Sequence, residues 1–210
     1  MEESPAPPLE FILITGAQSP VGAAVAARLA ASAPVLLQGA EKAPLMTPAG
    51  HVHPGPHLLW PHDLSDVENI PVSLGDMFRQ TPIRIKSLVH CVSTGHDPMV
   101  QMFAGSVFSA IELIRFLRRR EPNAAALSNV VFCPSPAASE APARAAIEAF
   151  MRSAAVELAP KCRVNCVEST SGAALAHGPM DLAATVEFLL SDGASAITGQ
   201  RLVAHLGGPS

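Results

Sequence analysis

Phe11-Ile12-Leu13-Ile14-Thr15-Gly16-Ala17-Gln18-Ser19-Pro20-Val21-Gly22 decides the fold. Its first five residues form an apolar, β-branched run with the length of a buried strand. Gly16 ends that run. Ser19 and Pro20 then open a helix, because serine suits the N-cap and proline suits the first helical position, where an N–H would lack a partner anyway. An Ala-rich body carries the helix over residues 20–32. A strand, a glycine turn and a helix in direct succession begin a parallel βα unit.

The same alternation continues outward. Val35–Gln38 reads as a second strand, residues 39–57 as an irregular loop, and Leu58–Trp60 as a third strand. A helix is predicted over 67–80 and a strongly apolar fourth strand over Ile85–Val92. The longest helical pattern spans 98–120 and closes on Arg118-Arg119-Arg120, where positive charge suits the helix C-terminus. Val130–Cys133 is a fifth strand, 142–159 a helix ended by Pro160, and Arg163–Val167 a sixth strand. A helix over 181–191 and a strand over Leu202–His205 complete the chain. Strands apolar along their whole length, alternating with helices, imply an α/β doubly wound parallel sheet covered on both faces. Residues 1–9, with their prolines and glutamates, read as a flexible tail, and 10–210 as a single domain.

Composition narrows the function. Apolar residues make up 49% and charged residues 15% of 210, which excludes an intrinsically disordered chain. A net charge of −4 supplies no basic field for nucleic acid or an anionic membrane. No apolar run reaches the roughly 18 residues of a membrane span, and the acidic, Pro-rich start is wrong for a signal peptide. Cys91, Cys133, Cys162 and Cys166 lie in apolar stretches and read as reduced core thiols of a cytoplasmic protein. The chain contains no tyrosine.

Four stretches, in order, resemble the short-chain dehydrogenase/reductase family. Ile14–Gly22 is similar to its Thr-Gly-x-x-x-Gly-x-Gly turn, and His62-Asp63-Leu64-Ser65-Asp66 to its Asp-Leu-Ser-Asp after strand three. The run from Ala145 to Pro160 with Arg163-Val164-Asn165 is the third stretch. The fourth is Phe188–Asp192 with Ile197–Gln200. The resemblance spans about 10 to 208 and implies a single-domain Rossmann fold of about seven strands that uses NAD(P). It places Thr15, Gly16, Gly22 and Asp63 at the cofactor.

The resemblance also locates departures. The family's catalytic Tyr, and the Lys four residues on, fall on Glu140 and Arg144. That spacing is expected to make an ion pair, and a paired carboxylate is a poor proton donor. The family's helix Asn falls on Phe103. Its catalytic Ser is matched in part by Ser135, only five residues before Glu140. The middle glycine of the turn is Pro20, which has no N–H for a phosphate and fills space with its ring. After strand two, where an acid would hold an NAD ribose, stands Gln38-Gly39; Lys42 is a weak candidate for a 2′-phosphate. The family's Asn-Asn-Ala-Gly reads His90-Cys91-Val92-Ser93, and its Pro-Gly reads Glu168-Ser169. The substrate-covering segment, residues 170–181, is short.

Two functions follow. One is a degenerate relative without redox chemistry, binding no NAD(P) or binding it weakly. It would act as an oligomeric binding or interaction protein, or carry a non-redox activity in the vacated pocket. The alternative is a divergent NAD(P)-dependent carbonyl/alcohol oxidoreductase with Glu140, Ser135 or His90 in place of the tyrosine. His90, Glu168 and His96 form a further candidate cluster at strand ends. His51, His53, His57 and His62 fall within twelve residues but in a Pro-rich loop, and no metal site is expected. Helices 98–120 and 142–159, with Ala143, Ala145, Ala146, Ala149, Ala154 and Ala155, are expected to pair with their copies in a homo-oligomer.

Overall fold

Leu9–Thr15 (β1), Val35–Gly39 (β2), Leu58–Pro61 (β3), Ile83–Cys91 (β4), Asn129–Cys133 (β5), Arg163–Ser169 (β6) and Arg201–Ala204 (β7) form one sheet of seven parallel strands in the order β3-β2-β1-β4-β5-β6-β7. These elements come from a computed structural model that describes residues 9–39, 56–92, 99–120, 127–169 and 179–204. Helices α1 (Pro20–Leu29) and α6 (Pro179–Leu190) cover one face of the sheet. The other face carries α2 (Ile70–Gln80), α4 (Ser109–Arg120) and α5 (Ala141–Leu158). The architecture is a Rossmann-like α/β fold, as the alternating pattern predicts. Its topological switch lies between β1 and β4, where strand order reverses and α/β sheets open a crevice.

The apolar strand runs fill two cores, one on each face. Leu13, Leu36, Leu88, Val130 and Phe132 pack toward α2, α4 and α5, while Ile14, Leu37, Val89, Val131 and Val167 pack toward α1 and α6. This is the two-fold alternation of a strand with both faces buried. α1 begins as its sequence demands: Ser19 Oγ accepts from Gly22 N–H at 2.9 Å, and Pro20 occupies the first helical position.

Several expectations need correction. β1 begins at Leu9, so the sheet includes a residue assigned to the tail. The long helix is not uniform: α3 (Met99–Phe103) passes through a π-helical turn at Ala104–Phe108 into α4. By length and composition Met99–Arg120 is apolar enough to cross a membrane, contrary to the sequence reading, and half of its apolar window is buried inside the fold. Ala143, Ala154 and Ala155 are buried beneath α5, while Ala145 and Ala149 are exposed, so the alanines do not form a single outward face.

Candidate functional site

The glycine turn sits at the carboxyl end of β1, beside the switch. Gly16 has φ +62°, and a Cβ there would overlap the carbonyl oxygen of Cys91; a Cβ on Gly22 would overlap the carbonyl oxygen of Gly16. Both glycines are therefore required by backbone packing alone. Gly16 N–H donates to Gln38 Oε1 at 2.8 Å, Ala17 N–H to Gln38 O at 3.2 Å, and Ser19 N–H to Gly16 O at 2.9 Å. Gly22 N–H is taken by Ser19 Oγ, and Pro20 has no N–H. These five positions offer no free amide to an anion, so a pyrophosphate would have to rely on first-turn amides of α1 such as Val21 N–H.

Thr15 and His90 face each other in the β1–β4 register. Thr15 Oγ1 lies 2.8 Å from His90 Nδ1, and His90 Nε2 lies 2.9 Å from Ser106 O. A carbonyl only accepts, so Nε2 carries the proton and Nδ1 receives the Thr15 hydroxyl. Ser106 lies in the π turn, a local widening of the helix that recurs near functional sites. Burial lowers the His90 pKa to about 4, opposed in part by the hydrogen bond to Ser106. His90 reaches the strand end as expected, but its ring is fully buried and both nitrogens are engaged. The ring is enclosed in the core, so a catalytic role of the kind expected for His90 would need it to be uncovered. Thr15, assigned to a cofactor, is likewise engaged with His90.

Ser135, Glu140 and Arg144 gather where β5 runs into α5. Ser135 Oγ accepts from Ala137 N–H at 3.2 Å, and Arg144 Nη1 donates to Ser135 O at 3.4 Å. The expected Glu140–Arg144 ion pair is not formed. Glu140 sits at the N-cap of α5, is 7% exposed, makes no cap hydrogen bond, and holds Oε2 buried without a partner. Four-residue spacing pairs side chains inside a helix. Glu140 lies just outside it, with φ −99° and ψ 6°, so its side chain leaves along another direction. Phe103 packs against the core and lies 6.5 Å from the Phe108 ring.

The remaining candidates separate. Asp63 Oδ1 accepts from both Ser65 N–H and Ser65 Oγ at 2.9 Å, an exposed local turn. His62 is buried, stacks on Trp60 at 5.0 Å, and its Nε2 lies 3.1 Å from Asp66 O. His57 Nδ1 lies 3.4 Å from Val35 N. Among the described residues no three ligand-type side chains gather for a metal. Glu168 binds Arg201 at 2.8 Å through Oε2 and leaves Oε1 buried and unpartnered. Lys42, His51, His53, Ser93, His96 and the segment 170–178 lie outside the described residues.

Sequence reasoning missed the role of Gln38. It is 4% exposed, and its Nε2 donates to His62 O at 2.6 Å while Oε1 holds the turn. The signal was a polar side chain inside an otherwise apolar strand. Ser106 was missed as well, because nothing local announces a π turn.

No protein-family model and no curated protein matches the sequence. Solved structures do match. A short-chain type dehydrogenase/reductase from Mycobacterium ulcerans is 21% identical, with TM-score 0.76, over 95% of this chain and 89% of that one. A short-chain dehydrogenase/reductase, glucose/ribitol dehydrogenase, from Brucella melitensis is 20% identical, with TM-score 0.75, over 96% and 97%. The citronellol catabolism dehydrogenase of Pseudomonas aeruginosa is 22% identical, with TM-score 0.72, over 95% and 96%. At these identities the likeness is one of fold, and the fold of this chain is that of the short-chain dehydrogenases/reductases.

Proposed function

We propose that this chain uses the fold for binding or interaction, or for a non-redox activity at the Ser135–Glu140–Arg144 end of the sheet, and not for hydride transfer. The observation that carries this reading is the internal hydrogen bonding of the glycine turn, reinforced by the absence of any tyrosine. Titration with NADH and NADPH, followed by heat or fluorescence, is the test. No binding tighter than about 1 mM, on the order of −4 kcal/mol, is expected. Micromolar saturation would reject the reading.

The second reading is a divergent NAD(P)-dependent oxidoreductase, and two observations favour it. The similar solved structures named above are dehydrogenases or reductases. Glu140 is buried and free of Arg144, so the ion pair that would disqualify it as a proton donor is missing. Comparison thus weighs for redox chemistry and the turn weighs against it. Reduction of a carbonyl panel with NADPH, abolished by Glu140→Gln, would establish the second reading.

A second copy of the chain is the proposed partner, through helices 98–120 and 142–159. Phe108 on the first is 50% exposed and Val156 on the second 81% exposed, apolar side chains that such pairing would cover. Light scattering at micromolar concentration would exclude pairing if the mass stays near 21.8 kDa. A cytoplasmic setting accords with four free, buried thiols.

A further inference from the structure

We propose that Gln38 is the residue that bars a dinucleotide from this fold. Its buried carboxamide is a latch between the turn after β1 and the residue after β3. Oε1 takes the Gly16 N–H at 2.8 Å, and Nε2 gives a proton to His62 O at 2.6 Å. Neither end can be exchanged: turning the amide over would set NH2 against N–H and oxygen against oxygen. The backbone repeats the tie, with Ala17 N–H on Gln38 O and His62 N–H on Gly39 O. One side chain therefore joins the turn after β1, the end of β2 and the residue after β3.

An adenosine ribose at the end of β2 would find the Gln38 oxygen already committed to Gly16 N–H, and taking it would leave a buried carboxamide unpaired. The attached pyrophosphate, at the start of α1, would meet the Pro20 ring and a capped Gly22 N–H, and no cation occurs between Gly16 and Ala24 to balance its charge. The glycines give no counter-argument, because backbone contacts require both. The inference deepens the non-redox reading and rests on it only in excluding the cofactor.

ADP-ribose separates the two ideas, since it carries the pyrophosphate and both riboses but no nicotinamide. Calorimetric titration of the full chain with ADP-ribose to about 1 mM should show no saturation. Gln38→Ala combined with Pro20→Gly should tighten binding at least about tenfold. Gln38→Ala alone should speed exchange of the Gly16 amide proton by about tenfold or more, read by NMR. Should Gln38→Ala not fold, Gln38→Met keeps the volume, removes both hydrogen bonds and is read in the same way. Micromolar ADP-ribose binding by the unmodified chain overturns the latch, as does a folded double variant that gains nothing. ADP-ribose binding without carbonyl turnover overturns the latch alone. Turnover that is indifferent to Gln38 and lost in Glu140→Gln overturns the non-redox reading.

Discussion

Thr15 and His90, opposite one another on β1 and β4, share a 2.8 Å hydrogen bond between Oγ1 and Nδ1 where neither side chain meets solvent. With Ser106 O on the other ring nitrogen, the imidazole is a neutral spacer that joins the sheet to the π turn.

That arrangement makes stability depend on pH. Burial holds the folded pKa of His90 near 4, against 6.5 in an unfolded chain. Between these values the unfolded state binds more protons, so stability is fully present above pH 6.5 and is lost as pH falls toward 4. The loss is about 3 kcal/mol. Urea unfolding from pH 7 down to pH 4 should show it, and His90→Gln should flatten this window while lowering stability at pH 7.

Gln38→Glu keeps an acceptor for Gly16 N–H but removes the donor to His62 O and sets a carboxylate oxygen against that carbonyl. A loss of about 2 kcal/mol is expected at neutral pH. The denaturation midpoint should fall without a change in slope; an unchanged midpoint would show that the latch carries no stability.

The glycines should divide by environment. Gly16→Ala meets both a positive φ and the Cys91 carbonyl, and Gly22→Ala meets the Gly16 carbonyl. Each should cost about 3 kcal/mol or more. Gly75 lies inside α2, and its added Cβ would meet Arg79 and Phe116 only at 3.7 Å or beyond. Gly75→Ala should stabilise by about 0.5–1 kcal/mol, from the smaller entropy lost by alanine in a helix. Thermal melts of the three variants give the comparison.

The thiols should be silent in the folded protein. Cys91, Cys133, Cys162 and Cys166 are all buried. A hydrogen bond with Cys91, then burial, pushes the Cys133 thiol up; burial pushes Cys162 to about 12 and also raises Cys166. A chromogenic disulfide reagent at pH 8 should label the native chain orders of magnitude more slowly than the denatured one. Rapid labelling of one native thiol would show an opening that reaches the sheet.

Some of this was legible in the chain itself. Apolar strand runs set between helical stretches fixed the parallel sheet, and Ser19-Pro20 marked the start of α1, because burial on both faces and helix capping are local demands. The absence of tyrosine needs no structure. Tertiary structure alone decided which polar groups meet. Gln38 reaches Gly16 across 22 residues, and His90 reaches Ser106 only because the helix widens at a π turn. Glu140 and Arg144 look paired by spacing, yet part because one stands outside the helix and the other within it. Hydrogen bonds between elements follow from the register of strands and the placing of helix ends, and neighbouring residues in the chain do not determine either.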